Sequence, residues 1–269
     1  MLERSQIEAW LREDVGHRDV TNDVPGETAG RLVATEPGVA AGLDAAVAVF
    51  DYLGVDATAT AGDGDAVEPG EVVLRTEGPA RETLRGERVA VNVAGHASGV
   101  ATRTRRAVEA AREAGDARVA GTRKTTPGLR GIEKRAIAAG GGDTHRLDLS
   151  GMVMVKDNHV AEMGLEAAVE RFRERASFAT KVEVEIDDPA DAARAARTAA
   201  DIVLLDNMSP AETADAVTAA SEADGSVLLE ASGGITIETV AEYAATGVDV
   251  VSMGSLTHSA ASLDYSFRT

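Results

Sequence analysis

Cysteine is absent from this 269-residue chain. Disulfides, thiolate metal sites and cysteine nucleophiles are excluded together. Long apolar runs are missing as well: no stretch reaches the uncharged length of a membrane helix. The first twenty residues carry charges throughout, with no apolar core of signal-peptide length. Positive charge is scarce, 27 Lys and Arg against 45 Asp and Glu, for a net charge of -18. Such an acidic surface argues against general binding of nucleic-acid phosphates. The expectation is a soluble, cytoplasmic protein with neither a membrane nor a nucleic acid as partner. Lysine occurs only at positions 124, 134, 156 and 181, and arginine supplies the other 23 basic residues. Low lysine with abundant Asp, Glu and Ala suggests a halophilic-like acidic surface in a high-salt cytoplasm, where self-repulsion is screened. An ordinary acidic enzyme of GC-rich coding is the alternative.

Against these absences stand six short apolar runs in the second half, each ending on residues suited to ligands or chemistry. Arg118-Val119-Ala120 runs into Gly121-Thr122-Arg123-Lys124, and Met152 to Val155 into Lys156-Asp157-Asn158-His159. Val182 and Val184 lead to Glu185, and Ile202 to Leu205 lead to Asp206-Asn207. Val227 to Leu229 lead to Ser232-Gly233-Gly234, and Val248 to Met253 to Gly254-Ser255. Apolar runs of strand length alternating with helical stretches predict parallel strands with crossover helices. In a closed or nearly closed α/β barrel the carboxyl ends of such strands converge on one mouth.

The first part reads as a small α+β domain. A helix over Ser5 to Glu13, capped by Ser5, precedes strands at Arg31 to Glu36, Ala57 to Ala61 and Glu71 to Thr76, with a helix from Gly42 to Leu53 between them. From Pro79 the pattern turns helical to about Ala114. The domain boundary is placed near Arg85, giving 1-85 and 86-258. Further helices are expected at Leu165 to Ala176, Ala190 to Ala199, Ala211 to Ala223 and Ile237 to Ala245.

Between Gly121 and His159 the charge balance reverses, with seven positive side chains against four negative, a net of +3. A basic island in an acidic chain is a candidate anion site. Arg130, Lys134 and Arg135 are read as solvated charges of a helix after Pro127. Arg123 and Arg146 are read differently, because a guanidinium grips a carboxylate or phosphate in a planar, two-point contact. His145, beside Arg146, is a carboxylate donor, a proton-transfer group or a structural histidine. Lys124 and Lys156 are half of the lysines; a compact ammonium can follow a phosphate or ribose oxygen, or form a Schiff base.

Glu183 and Glu185 lie two apart in a strand and share a face. An inward Glu with the strand-end Asp206 can hold hydrated magnesium; a salt bridge to Lys124 or Lys156 is compatible with that role. Ser232-Gly233-Gly234 and Gly254-Ser255 end the last two strands, where small residues let backbone amides approach a phosphate.

Longer motifs carry a resemblance. They are Glu13-Asp-Val-Gly-His-Arg-Asp-Val-Thr21, Gly86-Glu-Arg88 with Asn92 and Ser98-Gly-Val-Ala-Thr102, Gly121-Thr-Arg-Lys-Thr-Thr-Pro-Gly-Leu-Arg130, and Gly140-Gly-Gly-Asp-Thr-His-Arg146. Lys156-Asp-Asn-His159, Glu183-Val-Glu185, Leu204-Leu-Asp-Asn207, Glu230-Ala-Ser-Gly-Gly-Ile235 and Gly254-Ser-Leu-Thr-His-Ser259 complete the set. In these the chain resembles, nearly end to end, the quinolinate phosphoribosyltransferase family. The resemblance implies an α/β fold: an N-terminal α/β sandwich, the tail from about 259 to 269 returning to it, and an incomplete, open α/β barrel. It implies transfer of phosphoribose from phosphoribosyl pyrophosphate to quinolinate, with loss of pyrophosphate and CO2, in de novo NAD biosynthesis.

Arg88, Arg123, His145, Arg146 and Lys156 match the family's dicarboxylate site, the arginine matching Arg88 reaching in from the neighbouring subunit of a homodimer or higher multiple. Lys124, Lys156, Glu185 and Asp206 match residues around the ribose, pyrophosphate and Mg2+, with Glu185 and Asp206 as metal ligands, direct or through water. Ser232, Gly233, Gly234, Gly254 and Ser255 match the 5-phosphate loops. Many relatives carry Asp where this chain has Gly121, which leaves the cation set intact.

Three rival readings remain. A Schiff-base aldolase with Lys156 as nucleophile leaves the arginines unexplained. A paralogous phosphoribosyltransferase of another acidic heterocycle, such as nicotinate, or a relative linked to molybdenum uptake, would share the scaffold. A phosphate-sensing protein would bind without turnover.

Overall fold

The computed structural model describes residues 3-269. The chain gathers into two compact units, the first comprising residues through Arg105 with Gly128–Gly141 and Ser259–Thr269, the second Arg106–Pro127 with Gly142–His258. These bounds differ from the expected 1-85 and 86-258: the chain leaves the first unit later, and the stretch 128-141 returns to it.

In chain order the first stretch holds α1 (Arg4–Val15), β1 (Glu27–Ala34), β2 (Gly38–Val39), α2 (Leu43–Tyr52), β3 (Asp56–Ala59), β4 (Ala66–Val67), β5 (Val72–Pro79) and α3 (Ala80–Ala114). After it come β6 (Arg118–Ala120), α4 (Arg130–Ala139), β7 (Val153–Val155), α5 (Asp157–Met163), α6 (Leu165–Arg175) and β8 (Val182–Ile186). The remainder is α7 (Ala192–Ala196), β9 (Ile202–Asp206), α8 (Pro210–Ala223), β10 (Leu228–Ser232), α9 (Val240–Ala244), β11 (Val250–Ser252), α10 (Ser255–His258) and β12 (Tyr265–Arg268).

The first unit carries a four-stranded antiparallel sheet in the order β12-β1-β5-β3. Leu32, Val73 and Leu74 of the sheet pack with Leu43, Ala46 and Phe50 of α2 and with Ala90 and Ala94 of α3. A second cluster joins Val93, Ala97 and Val100 of α3 to Ile132, Ala136 and Ile137 of α4. That burial is why α4 belongs here, although strand order along the chain suggested otherwise. The C-terminal tail closes the sheet, β12 lying against β1 with Leu32 opposite Phe267. A side chain at Gly99 would collide with the backbone of Ala261, and the Gly95 carbonyl accepts from Leu263 N at 2.9 Å. The two helix glycines admit the tail backbone, an approach any Cβ would block.

Local details depart from expectation. Ser5 does not cap α1, whose N-cap is Glu3. The helix expected over Ala190 to Ala199 begins instead as a 3-10 turn at Pro189–Asp191, capped by Asp188, and continues as the short α7. The α4 charges are not solvated as a group: Lys134 is only 2% exposed, and Glu133, fully buried, meets His96 Nε2 at 2.9 Å.

The second unit is a six-stranded, all-parallel sheet in the order β6-β11-β10-β9-β8-β7. Strands β7 to β11 follow one another in sequence, β6 comes next to β11, and β6 and β7 end the sheet without pairing with each other. This is the order of a barrel left open between its first two strands. One face bears Val119, Val155, Val182, Val184, Val203, Leu205, Leu229 and Val251, which pack against α6, α7, α8 and α9 in one core. By the two-residue period of a strand, Met154, Glu183, Glu185, Leu204, Asp206, Glu230, Ser232 and Ser252 share the other face. Burial of each large apolar side chain on the outer face contributes roughly 1.5 to 3 kcal/mol, which pins the register that turns the polar set inward.

Candidate active site

Register places the polar ends side by side. Val155 pairs with Val184, so Lys156 and Glu185 emerge together, and Asp206 pairs with Ser232. Lys156 Nζ lies 2.6 Å from Glu185 Oε2. Its backbone is held by His159, whose Nδ1 accepts from Lys156 N at 3.0 Å across the first turn of α5. Burial raises the Asp206 carboxyl pKa and the charge of Glu185 raises it further, while Lys156, Lys124 and the Asn207 amide pull it down. Two carboxylates and two ammonium groups therefore share one neighbourhood, and Asn207 Nδ2 donates to Asp206 Oδ2 at 2.6 Å.

A second cluster forms on the segment that crosses from β6 towards β7. His145 adopts a left-handed backbone, φ 51°, and its N–H donates to Asp143 Oδ1 at 2.7 Å. Its Nε2 meets Glu230 Oε2 at 3.0 Å. Burial lowers the imidazole pKa, but the hydrogen bond and charge of Glu230, joined by Glu183, outweigh burial and Arg146, and the net direction is upward. Arg146 is half-buried; desolvation and Arg123 weaken its hold on its proton, while Glu183, Glu230 and Glu185 strengthen it. His145 and Arg146 are thus drawn to one set of inward carboxylates, with Arg123 near enough for its charge to reach Arg146. Glu183 is fully buried with neither carboxylate oxygen partnered. Its burial, then the charge of Glu230, push its pKa up to about 8 against the pull of His145 and Arg146. A cavity of about 480 Å³ opens beside this cluster, lined by Arg118, Asp143, His145, Arg146 and Glu230 among others.

The small-residue loops complete the rim. Gly233 and Gly234 have φ of +99° and +64°, a region that a side chain would strain. A Cβ at Gly254 would stand 2.8 Å from Lys124 Cδ, so the loop after β11 lies directly against that lysine. Ser232 and Ser252 hydroxyls are 3.0 Å apart, and Ser255 Oγ donates to the Ile235 carbonyl at 3.0 Å, tying the two loops together.

The second unit alone thus brings together Arg123, Lys124, His145, Arg146, Lys156, Glu185, Asp206 and the glycine–serine loops. Arg88 lies in the first unit, on α3; its side chain is 61% exposed, with Glu87 at 3.8 Å. His159 and Asn207 stand at strand ends that the sequence marks as suited to ligands, without a role of their own, whereas Glu230 is given none. A charge embedded in Val227-Leu-Leu-Glu-Ala231 was the available signal for Glu230, since a strand packed on both faces has no place for a carboxylate without a partner.

Two family models match the chain: the quinolinate phosphoribosyl transferase N-terminal domain over residues 19–98 and the C-terminal domain over residues 100–268. A protein of Methanothermobacter thermautotrophicus named as a probable nicotinate-nucleotide pyrophosphorylase (carboxylating) is 45% identical over 271 residues, covering 97% of this chain and 97% of its own. The human nicotinate-nucleotide pyrophosphorylase (carboxylating) is 43% identical over 266 residues, covering 97% of this chain and 90% of its own. The crystal structure of NadC from Streptococcus pyogenes superimposes with a TM-score of 0.91 at 40% identity, covering 98% of this chain and 95% of that one. With matching models over both units and near-complete alignment at these identities, the chain belongs to the quinolinate phosphoribosyltransferase family.

Proposed function

We propose that this chain is a quinolinate phosphoribosyltransferase, converting quinolinate and phosphoribosyl pyrophosphate to nicotinate mononucleotide, pyrophosphate and CO2 in NAD biosynthesis. The observation that carries the reading is the pairing of two clusters in one unit. Arg123, His145 and Arg146 suit a doubly charged aromatic acid, and Lys124, Lys156, Glu185 and Asp206 suit a pyrophosphorylated sugar.

Guanidinium groups at Arg123 and Arg146 match adjacent carboxylates in two-point contacts. Held there, the pyridine nitrogen faces the anomeric carbon of the sugar, and fixing both partners in line supplies much of the rate. As the C1–O bond to pyrophosphate breaks, negative charge grows on the leaving oxygens, where Lys124 and Lys156 stabilise it. Glu185 and Asp206 face the positive charge that develops on the ribose carbon. With the ring nitrogen quaternary, the bond to the 2-carboxylate can break; CO2 departs, the electron pair stays on the ring carbon next to the cationic nitrogen, and a proton replaces it.

Mg2+ fits the donor set, because burial and like charge already raise the Asp206 pKa beside Glu185 and a hard cation relieves that repulsion. Glu185 and Asp206 would hold it with Asn207 near by, and when bound it supplies Lewis-acid neutralisation of the pyrophosphate. The loops with Gly233, Gly234, Gly254 and Ser255, with Ser232, take the 5-phosphate through backbone N–H groups. Arg88 is the residue offered to the site of a second subunit in a cytoplasmic homodimer or higher multiple. Among the described residues no helix is long and apolar enough to cross a membrane.

The test is incubation with quinolinate, phosphoribosyl pyrophosphate and Mg2+ at several salt concentrations, with detection of nicotinate mononucleotide. Turnover of nicotinate in place of quinolinate, or binding of phosphoribosyl pyrophosphate without turnover, sinks the reading.

A further inference from the structure

A histidine that grips a substrate carboxylate must donate to it, and the ring nitrogen facing the protein decides whether it can. His145 Nε2 lies 3.0 Å from Glu230 Oε2, and Nδ1 makes no hydrogen bond to the described residues. In the neutral ring with its proton on Nε2, Nδ1 is an acceptor and repels a carboxylate; only the imidazolium donates from both nitrogens. We propose that Glu230 is a positioning residue for quinolinate: from the inner face of β10 it holds the His145 ring as an imidazolium, so that Nδ1 donates to a carboxylate of the substrate.

Geometry supports a fixed partner. Glu230 is 1% exposed and its strand is paired on both sides, to β9 and to β11. The His145 backbone is locked in the left-handed region with its N–H on Asp143. The groups facing the ring are Glu230 from β10, Glu183 from β8, and Arg146 and Asp143 from its own segment; reactive atoms of His145, Glu183 and Glu230 lie within 4.8 Å of one another. The Glu230 carboxylate at hydrogen-bond distance from Nε2 favours the protonated ring against the opposing charge of Arg146, and Glu183, which keeps its proton up to about pH 8, adds its negative charge only above that. A carboxylate that serves only to fill space in the core would leave the His145 titration unmoved.

The inference rests on the proposed function for the identity of the substrate, but its core test does not. In the parent protein without substrate, the His145 resonance, found among five histidines by its loss in His145→Gln, is expected to titrate above the ordinary histidine value of about 6.5. Titration below that value overturns the proposal with no variant at Glu230 needed. In Glu230→Gln the same resonance is expected to shift to lower pH.

The KM for quinolinate should then begin to rise at lower pH than in the parent, reaching about tenfold above it near pH 8 for each unit of lowered pKa. The two proteins should agree near pH 5.5, with kcat and the KM for phosphoribosyl pyrophosphate little changed. The Glu230→Gln effect should vanish in a His145→Gln background. An equal KM penalty at every pH, or an unshifted His145 titration, overturns the proposal. Absence of any turnover by the parent with quinolinate overturns the functional reading instead, and the resonance titration then decides the role of Glu230 by itself.

Discussion

Lys156 Nζ and Glu185 Oε2 stand 2.6 Å apart, at the ends of adjacent parallel strands whose register brings Val155 opposite Val184. The lysine is 45% exposed while the carboxylate is largely covered, so the ammonium can turn from its partner to an incoming anion. Its charge also reaches Asp206. Lys156→Ala should lower kcat/KM by roughly 10²-fold or more, the cost of losing a preorganised cation at a site of developing charge. Lys156→Arg should recover little, since the planar fork cannot follow a leaving oxygen as an ammonium does. Steady-state kinetics check both, and near-parental turnover in Lys156→Ala removes the residue from the chemistry.

Arg146 is flanked by Arg123 and by the inward carboxylates of β8 and β10. Arg146→Ala should raise the KM for quinolinate by at least about tenfold, a charge-assisted pair being worth roughly 1.5 to 3 kcal/mol, with a smaller change for phosphoribosyl pyrophosphate. Isothermal titration with each substrate separates the two, and an equal loss for both would place Arg146 elsewhere in the site.

Glycine loops give a contrast between activity and stability. A methyl at Gly254 meets the Lys124 side chain at 2.8 Å, and that flexible stem can move aside. Gly254→Ala should leave the melting temperature within a few degrees while raising the KM for phosphoribosyl pyrophosphate. At Gly233 the φ of +99° and the adjacent Asn207 side chain and backbone resist any Cβ. Gly233→Ala should cost on the order of 1 kcal/mol or more of stability as well as activity. Calorimetry alongside kinetics tells the two apart.

Glu183 makes stability depend on pH in a direction opposite to an ordinary paired carboxylate. Its folded pKa, pushed up to about 8 by burial and then by Glu230, exceeds the value of about 4.5 it has when exposed. The folded state therefore holds the proton more tightly. The contribution is full below pH 4.5 and is lost as pH rises towards 8, at up to about 1.4 kcal/mol per pH unit. Glu183→Gln should flatten that slope and be more stable than the parent near pH 8. Urea unfolding between pH 5 and 8.5 measures it, and parallel pH profiles for parent and variant would contradict the burial argument.

A net charge of -18 on 269 residues predicts a melting temperature that climbs between low and molar KCl, as ions screen self-repulsion. A melting temperature constant over that range would place the acidity with ordinary composition.

Much of the second unit was legible because its strands are short apolar runs broken by Gly, Asp, Ser and Lys, a pattern that depends only on local burial and turn chemistry. Strand parity alone put Glu183 and Glu185 on one face, and the reversal of charge between Gly121 and His159 marked the candidate anion site. The resemblance then supplied roles that no spacing could. Element ends were less legible: Ser5 looked like a cap because capping residues are common near helix starts, yet α1 begins at Arg4 behind Glu3. The α4 charges looked solvated because a sequence does not reveal which helix face finds a partner.

By itself, then, the order of residues determined which strands form, which of their side chains alternate inward, and which ionisable groups stand at the strand ends, all consequences of periods of two and 3.6 residues. Only the tertiary structure decided that Glu230 meets His145, that Glu183 stays unpartnered and holds its proton, and that α4 packs with α3. Those outcomes depend on contacts between residues far apart in the chain, and on the desolvation that enclosure imposes, which local pattern cannot encode.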